Sequence, residues 1–307
     1  GVQKMARRNA IVKKLSSVET LGSASVICTD KTGTLTRSEM MIGQAYTSSG
    51  YTDLSGVGYI PEGSVSVDGK PLESGQLHAE QVALLSGGSL ANNADLRLNK
   101  DGEWEIRGDP TEAAFLVAEQ KLNVAERRKQ RFERVLEIPF SSDRKMMSTI
   151  EKDHEHDDML VLISKGAPDV LMQRCTKCRL GMDVVAFTDE LRAKALADVD
   201  RLSGAAYRTL SVAYRPIGSH EDLHQLEALE QNMIFVGTVG IIDPPREEVG
   251  PAIQEAHRAG IRVIMITGDH PRTAARIAQD LGIIAEDEGA LTGEELDRLD
   301  EQAFLQA

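Results

Sequence analysis

The most specific chemical pattern in the sequence is DKTGTLT at residues 30–36, directly after the apolar run SASVICT at residues 23–29. The apolar run predicts a buried strand, and the polar segment predicts a turn at its carboxyl end, where α/β proteins place their chemistry. A carboxylate at this point can attack a phosphorus atom in line, while backbone amides and the side chains of Lys31 and Thr32 stabilise the phosphoryl oxygens. The pattern therefore favours Asp30 as a phosphoryl acceptor over the alternative, a capping aspartate in an ordinary loop.

A second polar turn with similar surroundings lies far downstream. Residues 249–260 predict an amphipathic helix that ends at a glycine, residues 262–266 predict a buried strand, and residues 271–283 predict another helix with its own glycine stop. The sequence TGD at residues 267–269 follows the strand directly. Helix, strand, turn and helix in this order predict the βα repeat of a doubly wound parallel sheet.

The residues between these two parts follow a different pattern. Residues 47–75 are rich in Gly, Ser and Tyr, which predicts loops and short strands. Longer predicted strands cover residues 132–140, 146–152, 159–166, 208–216 and 233–242. Predicted helices cover residues 79–94, 111–124 and 188–204, the last with Thr188 as its N-cap. We therefore expect an α+β insert with an antiparallel sheet inside an α/β domain.

The segment VICTDKTGTLT at residues 26–36 resembles the phosphorylation signature of the P-type ATPases, ion pumps that cycle through an aspartyl phosphate. Six further segments are similar to motifs of that family and occur in the family's order. They are GDPTE (108–112), PFSSDRKMMS (139–148), KGAPD (165–169), AAYRTLSVAYR (205–215), DPPR (243–246) and TGD (267–269). Their wording looks most like the type II calcium pumps. The resemblance implies a haloacid-dehalogenase-like parallel-sheet domain, incomplete in this chain and interrupted by a nucleotide-binding insert.

The resemblance also implies a role for individual residues. Asp30 would accept the γ-phosphate of ATP, and Thr267 would bind the phosphoryl group. The adenine would stack on Phe140 beside Lys165, Glu112 would accept from the adenine amino group, and Arg208 would reach the phosphates. The implied catalytic residues are Asp30, Lys31, Thr32, Thr267 and Asp269. The implied ATP-binding residues are Thr32, Glu112, Phe140, Arg144, Lys145, Lys165, Gly166, Arg208, Thr267, Gly268 and Asp269. Mg²⁺ would be held by the Asp30 carboxylate and the Thr32 carbonyl.

The sequence departs from the family's patterns at two informative positions. The calcium pumps carry an arginine two residues after the stacking phenylalanine, whereas this chain has Ser142 there, with Arg144 close by as a possible replacement. The related phosphatases carry a second aspartate two residues after the nucleophile, whereas this chain has Thr32, as the pumps do. A pump is therefore favoured over a soluble haloacid-dehalogenase-type phosphatase, which stays the alternative. A second alternative is a nucleotide-binding module without turnover, because the family's second magnesium motif does not occur in these residues.

The resemblance divides the chain into four segments. Residues 1–20 would form a stalk helix following a membrane segment, and residues 21–38 the first part of a phosphorylation domain. Residues 39–240 would form the nucleotide-binding domain, and residues 241–307 the second, truncated part of the phosphorylation domain. These segments would lie at the cytosolic face of the cell membrane, as a soluble part of a pump that is an integral membrane protein when intact. The transported cation would bind in membrane helices outside this chain. Calcium is therefore inferred as the transported ion only from the similarity of the motifs to those of calcium pumps.

Composition limits the possible partners. The chain has 307 residues, of which 41% are hydrophobic and 27% are charged, values that fit a folded protein with a real core. Its net charge is −13, which repels nucleic-acid backbones and excludes nucleic acid as an expected partner. Residues 1–36 are the exception, with six lysines and arginines against two acidic residues. This basic segment indicates either a solvated helix face or a stalk near a membrane surface. A lone CxxC, Cys175 and Cys178, is expected to be structural rather than a zinc site.

Overall fold

The computed structural model describes residues 2–7, 11, 13–14, 18, 21–223, 226–269, 271–285 and 288–300. The chain forms two compact units. The central unit is Ser38–Pro244, and the discontinuous unit combines Gly1–Arg37 with Pro245–Ala307. Half of the predicted stalk at residues 1–20, and all of residues 301–307, lie outside the described residues.

The described strands and helices range in length from the 2 residues of one strand to the 16 residues of one helix. The strands are β1 (Val26–Asp30), β2 (Met41–Thr47), β3 (Gly50–Leu54), β4 (Val65–Val67), β5 (Lys70–Pro71), β6 (Asp95–Leu98), β7 (Trp104–Arg107), β8 (Phe132–Ser141), β9 (Met146–Asp153), β10 (Met159–Gly166), β11 (Cys175–Leu180), β12 (Asp183–Ala186), β13 (Arg208–Pro216), β14 (Met233–Ile242) and β15 (Arg262–Ile266). The described helices are α1 (Val2–Ala6), α2 (Gln76–Leu90), α3 (Pro110–Gln120), α4 (Ala125–Arg131), α5 (Pro168–Gln173), α6 (Asp189–Gly204), α7 (Leu226–Leu229), α8 (Val249–Arg258), α9 (Pro271–Asp280) and α10 (Gly293–Asp297).

The central unit is organised around strand β14. An eleven-stranded sheet has the order β5-β4-β3-β2-β14-β13-β10-β9-β8, and β11 and β12 join it beside β14. The apolar sequence MIFVGTVGII makes β14 buried almost throughout, because both faces of the sheet are covered. Val236 and Val239 pack into one core cluster, and Met233 and Phe235 into the other. The predicted mixed fold with a large antiparallel sheet is therefore confirmed.

Helices cover the two faces of this sheet. Helices α2 and α3 supply Leu84 and Phe115 to the first cluster, and α5 supplies Leu171 to the second. Helix α6 begins as predicted, because the Thr188 hydroxyl accepts a hydrogen bond from the Leu191 N–H at 3.3 Å. Helices therefore pack on both faces of the sheet and cover its central strands.

The strand directions bring four segment ends to one edge of the sheet. Strands β13, β10, β9 and β8 are neighbours, and each pairs antiparallel with the next. Consequently β8 and β10 end at the edge where β9 and β13 begin. Gly166 pairs with Met146 on one side and with Ser211 on the other. This edge carries most of the residues for which the sequence predicts nucleotide contacts.

The discontinuous unit contains a parallel strand pair. Strands β1 and β15 pair in register, and Val263 packs into a cluster with Val249 and Ile253 of α8 and Ile277 of α9. The prediction that both strands are buried is wrong, because Val26, Ile27 and Cys28 of β1 are exposed and only Val263 of β15 is buried. Ile264 and Ile266 are 37% and 60% exposed. A pair of strands leaves one face uncovered, and the haloacid-dehalogenase-like sheet stays a prediction.

Two hairpins escaped the sequence analysis. Strands β6 and β7 pair with each other, and β11 and β12 form a second hairpin that joins the main sheet. Both predicted structural cysteines lie on β11 with buried side chains, and burial raises the pKa of the Cys175 thiol to about 12. Among the described residues, no helix combines the length and apolar character that crossing a bilayer requires.

The close contact between α2 and α3 leaves no room for a side chain at Gly88. A Cβ atom at this position would lie 2.0 Å from the Phe115 ring, which is fully buried. Gly88→Ala should therefore lower the free energy of unfolding by about 1–3 kcal/mol through overpacking, despite the better helix propensity of alanine. Gly204→Ala at the end of α6 is the control, since nothing lies within 4 Å of its Cβ position. Urea unfolding followed by Trp104 fluorescence measures both, and equal stabilities would contradict the prediction.

Candidate functional site

Phe140 and Lys145 flank the turn between β8 and β9. The Phe140 ring is 63% exposed, so its face is accessible to a planar ligand. Lys145 has φ +51°, and its backbone N–H donates to the Ser141 carbonyl at 2.8 Å. Its own carbonyl accepts from the Ala167 N–H at 2.9 Å. The turn is therefore held by hydrogen bonds both within itself and to the end of β10.

Gly166 permits this close approach. A Cβ atom on Gly166 would lie 2.7 Å from the Lys145 carbonyl oxygen and 2.5 Å from Met146 Cβ. Any larger residue would push the turn away from β10. Steric crowding therefore requires a glycine at this position of the segment KGAPD. The glycine lies directly beside the turn that carries Phe140.

Lys165 and Glu112 form a mostly buried ion pair at the same edge. The Lys165 Nζ lies 3.1 Å from Glu112 Oε1, with the two side chains 5% and 17% exposed. Glu112 lies in the first turn of α3, where Pro110 is the first residue and the Asp109 carboxylate caps the helix by accepting from the Thr111 N–H at 2.7 Å. The segment GDPTE is therefore a helix start that aims Glu112 at β10.

A loop contact fixes the second oxygen of Glu112. The Asn93 N–H donates to Glu112 Oε2 at 3.0 Å, and the Asn92 side chain donates to the Glu112 carbonyl at 2.7 Å. These bonds require the chain to leave α2 at Leu90, whereas the sequence predicts a helix to residue 94. The sequence analysis missed Asn93, because nothing local in ANNA signals a partner so distant in sequence.

Burial and the neighbouring Glu112 carboxylate have opposite effects on the pKa of Lys165. Removal from water lowers its pKa from the ordinary 10.5, and the Glu112 carboxylate opposes that change by stabilising the ammonium. The Nζ atom also lies 5.3 Å from the centre of the Phe115 ring. This ammonium is therefore held in one place by a carboxylate and an aromatic face.

Arg208 and Arg144, both predicted ATP ligands, have different surroundings. Arg208 begins β13 with an exposed side chain, and its Nη1 donates to the Thr111 hydroxyl at 3.4 Å. Arg144 Nη1 lies 2.7 Å from Oε1 of the fully buried Glu230. The guanidinium of Arg208 is thus presented at the surface, whereas that of Arg144 is already used inside the protein.

The predicted phosphoryl acceptor lies in the discontinuous unit. Asp30 ends β1 opposite Ile266, so Thr267, Gly268 and Asp269 follow at the same end of the parallel pair. Lys31 Nζ lies 2.6 Å from Asp269 Oδ2, and the Thr267 hydroxyl accepts from the Asp269 N–H at 3.1 Å. The structure thus brings together the chemical residues of both polar turns.

The turn after Asp30 is shaped by its glycine and threonines. Gly33 adopts φ +75°, a conformation that glycine accepts without strain. The Thr36 hydroxyl accepts from the Gly33 N–H at 3.2 Å and donates to the Lys31 carbonyl at 3.1 Å. Arg246 of the DPPR segment donates to the Gly33 carbonyl at 3.1 Å. The sequence alone does not indicate this contact, because the two residues are 213 positions apart.

Comparison with protein families identifies the family to which the chain belongs. The family described as "P-type ATPase, cytoplasmic domain N" matches residues 80–248, more than half of the chain. The chain belongs to the P-type ATPase family. The matched residues include Glu112, Phe140, Lys165 and Arg208, and so cover the sheet edge of the central unit.

Individual P-type ATPases resemble the chain over nearly its whole length. A calcium-transporting ATPase of Bacillus subtilis (strain 168) is 40% identical over 303 residues, which are 98% of this chain and 34% of that protein. Cation-transporting ATPase pma1 of Synechocystis sp. is 36% identical over 316 residues, covering 100% of this chain and 34% of its own length. Calcium-transporting ATPase type 2C member 1 of Bos taurus is 35% identical over 309 residues, covering 100% and 30%. The chain thus spans about a third of the length of these P-type ATPases.

The donor atoms near Asp30 fit Mg²⁺ in kind. Asp30 and Asp269 offer carboxylate oxygens, and Thr32 adds a backbone carbonyl, all hard ligands of the type that Mg²⁺ prefers. Within the described part of the chain, no three His, Cys, Asp or Glu side chains converge on one point. A magnesium ion on these residues would therefore need water or phosphate oxygens as further ligands, which is its usual habit in phosphoryl-transfer sites.

The buried ammonium of Lys165 should make stability depend on pH. Because its pKa is lowered in the folded protein, the unfolded chain binds more protons between that lowered value and the ordinary one. The free energy of unfolding, relative to that of Lys165→Met, should then rise with pH through this window, by at most about 1.4 kcal/mol per pH unit. Urea unfolding at several pH values measures the difference.

The matched control for this experiment is Lys129→Met, because the Lys129 side chain is 56% exposed. The difference between the unaltered protein and this control should stay flat with pH. A Lys165→Met difference that falls as pH rises would show that burial does not depress the Lys165 ammonium.

Proposed function

We propose that the central unit binds ATP at the edge formed by β8, β9, β10 and β13. The observation that carries the proposal is the convergence there of residues far apart in sequence. Glu112 and Lys165 are in contact at 3.1 Å, Arg208 reaches the Thr111 hydroxyl at 3.4 Å, and the Lys145 turn is bonded to the end of β10. Family membership supports the same reading, because the matched family is a cytoplasmic domain of the P-type ATPases.

Each part of the nucleotide has a suitable partner in this proposal. The exposed Phe140 ring stacks on the adenine, and the Glu112 carboxylate accepts from the exocyclic amino group. The fork of Arg208 and the ammonium of Lys145 face the negative phosphates from exposed positions. Lys165 lines the pocket and orients Glu112 through their ion pair.

We propose further that Asp30 accepts the γ-phosphoryl group. One carboxylate oxygen of Asp30 attacks the γ-phosphorus, the bond to the bridging oxygen breaks, and ADP leaves with that electron pair. Lys31 and the backbone amides of the turn stabilise the equatorial oxygens, and the Thr267 hydroxyl donates a hydrogen bond to one of them. Asp30 and Thr32 would hold Mg²⁺, which supplies charge neutralisation for the phosphate oxygens when bound.

The transport function is proposed from the relatives. Two of the proteins described above are named calcium-transporting ATPases and one a cation-transporting ATPase. We infer that this chain serves in an ATP-driven cation pump at the cytosolic face of a membrane, with calcium as the favoured ion. A soluble phosphatase is the alternative, and Thr32 speaks against it because that position lacks an acid to hydrolyse the aspartyl phosphate.

ATP binding to the chain tests the first proposal. Calorimetry should show binding that Phe140→Ala weakens by at least about fivefold, since stacking of a base on an aromatic ring contributes about 1–3 kcal/mol. Lys165→Ala should also weaken it, because Glu112 then loses its partner. Met182→Ala is the control, as this exposed side chain lies in the turn between β11 and β12. No binding by the folded protein would overturn the proposal and favour a small phosphate substrate at Asp30.

Phosphoenzyme formation tests the second proposal. Residues 1–307 can replace the matching third of the Bacillus subtilis relative, to which they are 40% identical. With radiolabelled ATP, the chimaera should form a hydroxylamine-sensitive phosphoprotein that Asp30→Asn abolishes, while the exposed Asp183→Asn retains it. Label that survives Asp30→Asn would place the acceptor elsewhere. Hydrolysis of simple phosphate esters without ATP would favour the phosphatase alternative.

A further inference from the structure

Glu230 is a fully buried carboxylate for which neither the sequence motifs nor the proposed chemistry has a use. It follows α7 and precedes β14, and its side chain is 0% exposed. Two guanidinium groups and a hydroxyl surround it. Arg144 Nη1 lies 2.7 and 2.9 Å from its two oxygens, Arg174 Nη1 lies 3.2 Å from Oε2, and the Ser148 hydroxyl donates to Oε1 at 2.6 Å. A buried carboxylate needs such partners, because an unpaired one is strongly unfavourable.

Arg144 connects the Glu230 carboxylate to the backbone on both sides of the β8–β9 turn. Its Nη1 is held by Glu230, and its Nη2 donates to the carbonyls of Pro139 and Met146. Pro139 directly precedes Phe140, and Met146 directly follows Lys145. The fork of one arginine therefore clamps the backbone on the two sides of the turn that carries both predicted ATP contacts.

Ser148 connects the Glu230 carboxylate to strand β10. Its hydroxyl lies 2.7 Å from the Ser164 hydroxyl across the β9–β10 ladder, and Ser164 is the residue before Lys165. Both serines are fully buried. The Glu230 carboxylate is thus the common acceptor of a network that reaches the residues adjoining Phe140, Lys145 and Lys165.

We propose that Glu230 is a positioning residue for the ATP site, acting through Arg144 on the turn at residues 141–146. The inference rests on the function proposed above. Its chemical basis is that only a carboxylate offers two charged oxygens to two guanidiniums and a hydroxyl at once. With Glu230→Gln, Arg144 loses its charged partner, the turn gains freedom, and nucleotide binding must then restore that order.

The test compares two buried glutamates with the same kind of partners. Glu119 is also 0% exposed, with Arg128 Nε at 2.8 Å and the Ser86 hydroxyl at 2.7 Å, but it lies at the far end of α3 from Glu112. Calorimetry should show ATP binding weakened about five- to tenfold by Glu230→Gln, and unchanged within about twofold by Glu119→Gln. Equal effects of the two changes, or none from Glu230→Gln, would overturn the proposal.

Combination with Phe140→Ala separates positioning from general destabilisation. If Glu230 acts through the turn, Glu230→Gln should add less than about a twofold loss once Phe140→Ala is combined with Lys145→Ala, because the effects of residues that act through the same contacts are not additive. Full additivity would overturn the proposal. Should Glu230→Gln fail to fold, Arg144→Lys replaces it, since a lysine can pair with Glu230 but lacks the fork that reaches Pro139 and Met146.

Hydrogen exchange distinguishes failure of this inference from failure of the proposed function. The amides of Lys145 and Ala167 should exchange faster in Glu230→Gln and not in Glu119→Gln, whether or not ATP is present. Unchanged exchange would overturn the positioning role. Faster exchange in a protein that binds no ATP would overturn the proposed function while keeping Glu230 as the anchor of the turn.

Discussion

The need to pair every buried charge governs the architecture of the central unit. Glu80, Glu119 and Glu230 are each 0% exposed, and each carboxylate receives several donors from separate segments of the chain. A carboxylate without such donors would be excluded from a packed interior. These pairings therefore fix loops to the sheet more firmly than apolar contacts alone, which are not directional. The turns bound in this way include the β8–β9 turn beside Phe140.

The same requirement explains why the polar residues of the candidate site are held in ion pairs, whereas its aromatic residue is exposed. Lys165 and Glu112 satisfy each other within the sheet edge, so neither can move without leaving a buried charge unpaired. Phe140 carries no such constraint and stands 63% exposed above a turn whose backbone is clamped. A ring presented on a fixed turn loses little freedom when a ligand stacks on it, so more of the stacking energy remains for binding.

The predictable parts of the fold are those with a local physical signal. The unbroken apolar run of β14 and the strong strand patterns of β9 and β10 identified the central sheet. The proximity of Asp30 and residues 267–269 followed from the rule that parallel strands end at one edge. Burial of β15 was misjudged because an apolar run does not reveal which faces its neighbours cover. The strands of hairpin β6–β7 do alternate between polar and apolar residues, but each is only four residues long. The Asn93 contact with Glu112 depends on packing between distant segments.

Arg144 shows how structure changes the meaning of a sequence departure. With Ser142 at the position where the calcium pumps carry an arginine, the nearby Arg144 looked like a substitute ligand for phosphate. Its guanidinium instead satisfies Glu230 and two backbone carbonyls, and moving it outward would strand a fully buried carboxylate with only Arg174 and Ser148. That loss would exceed what one exposed phosphate contact returns in water, where ion pairs contribute little. We therefore propose that the phosphates bind the cations already at the surface, Arg208 and Lys145, and that Arg144 holds the turn carrying Lys145 in place.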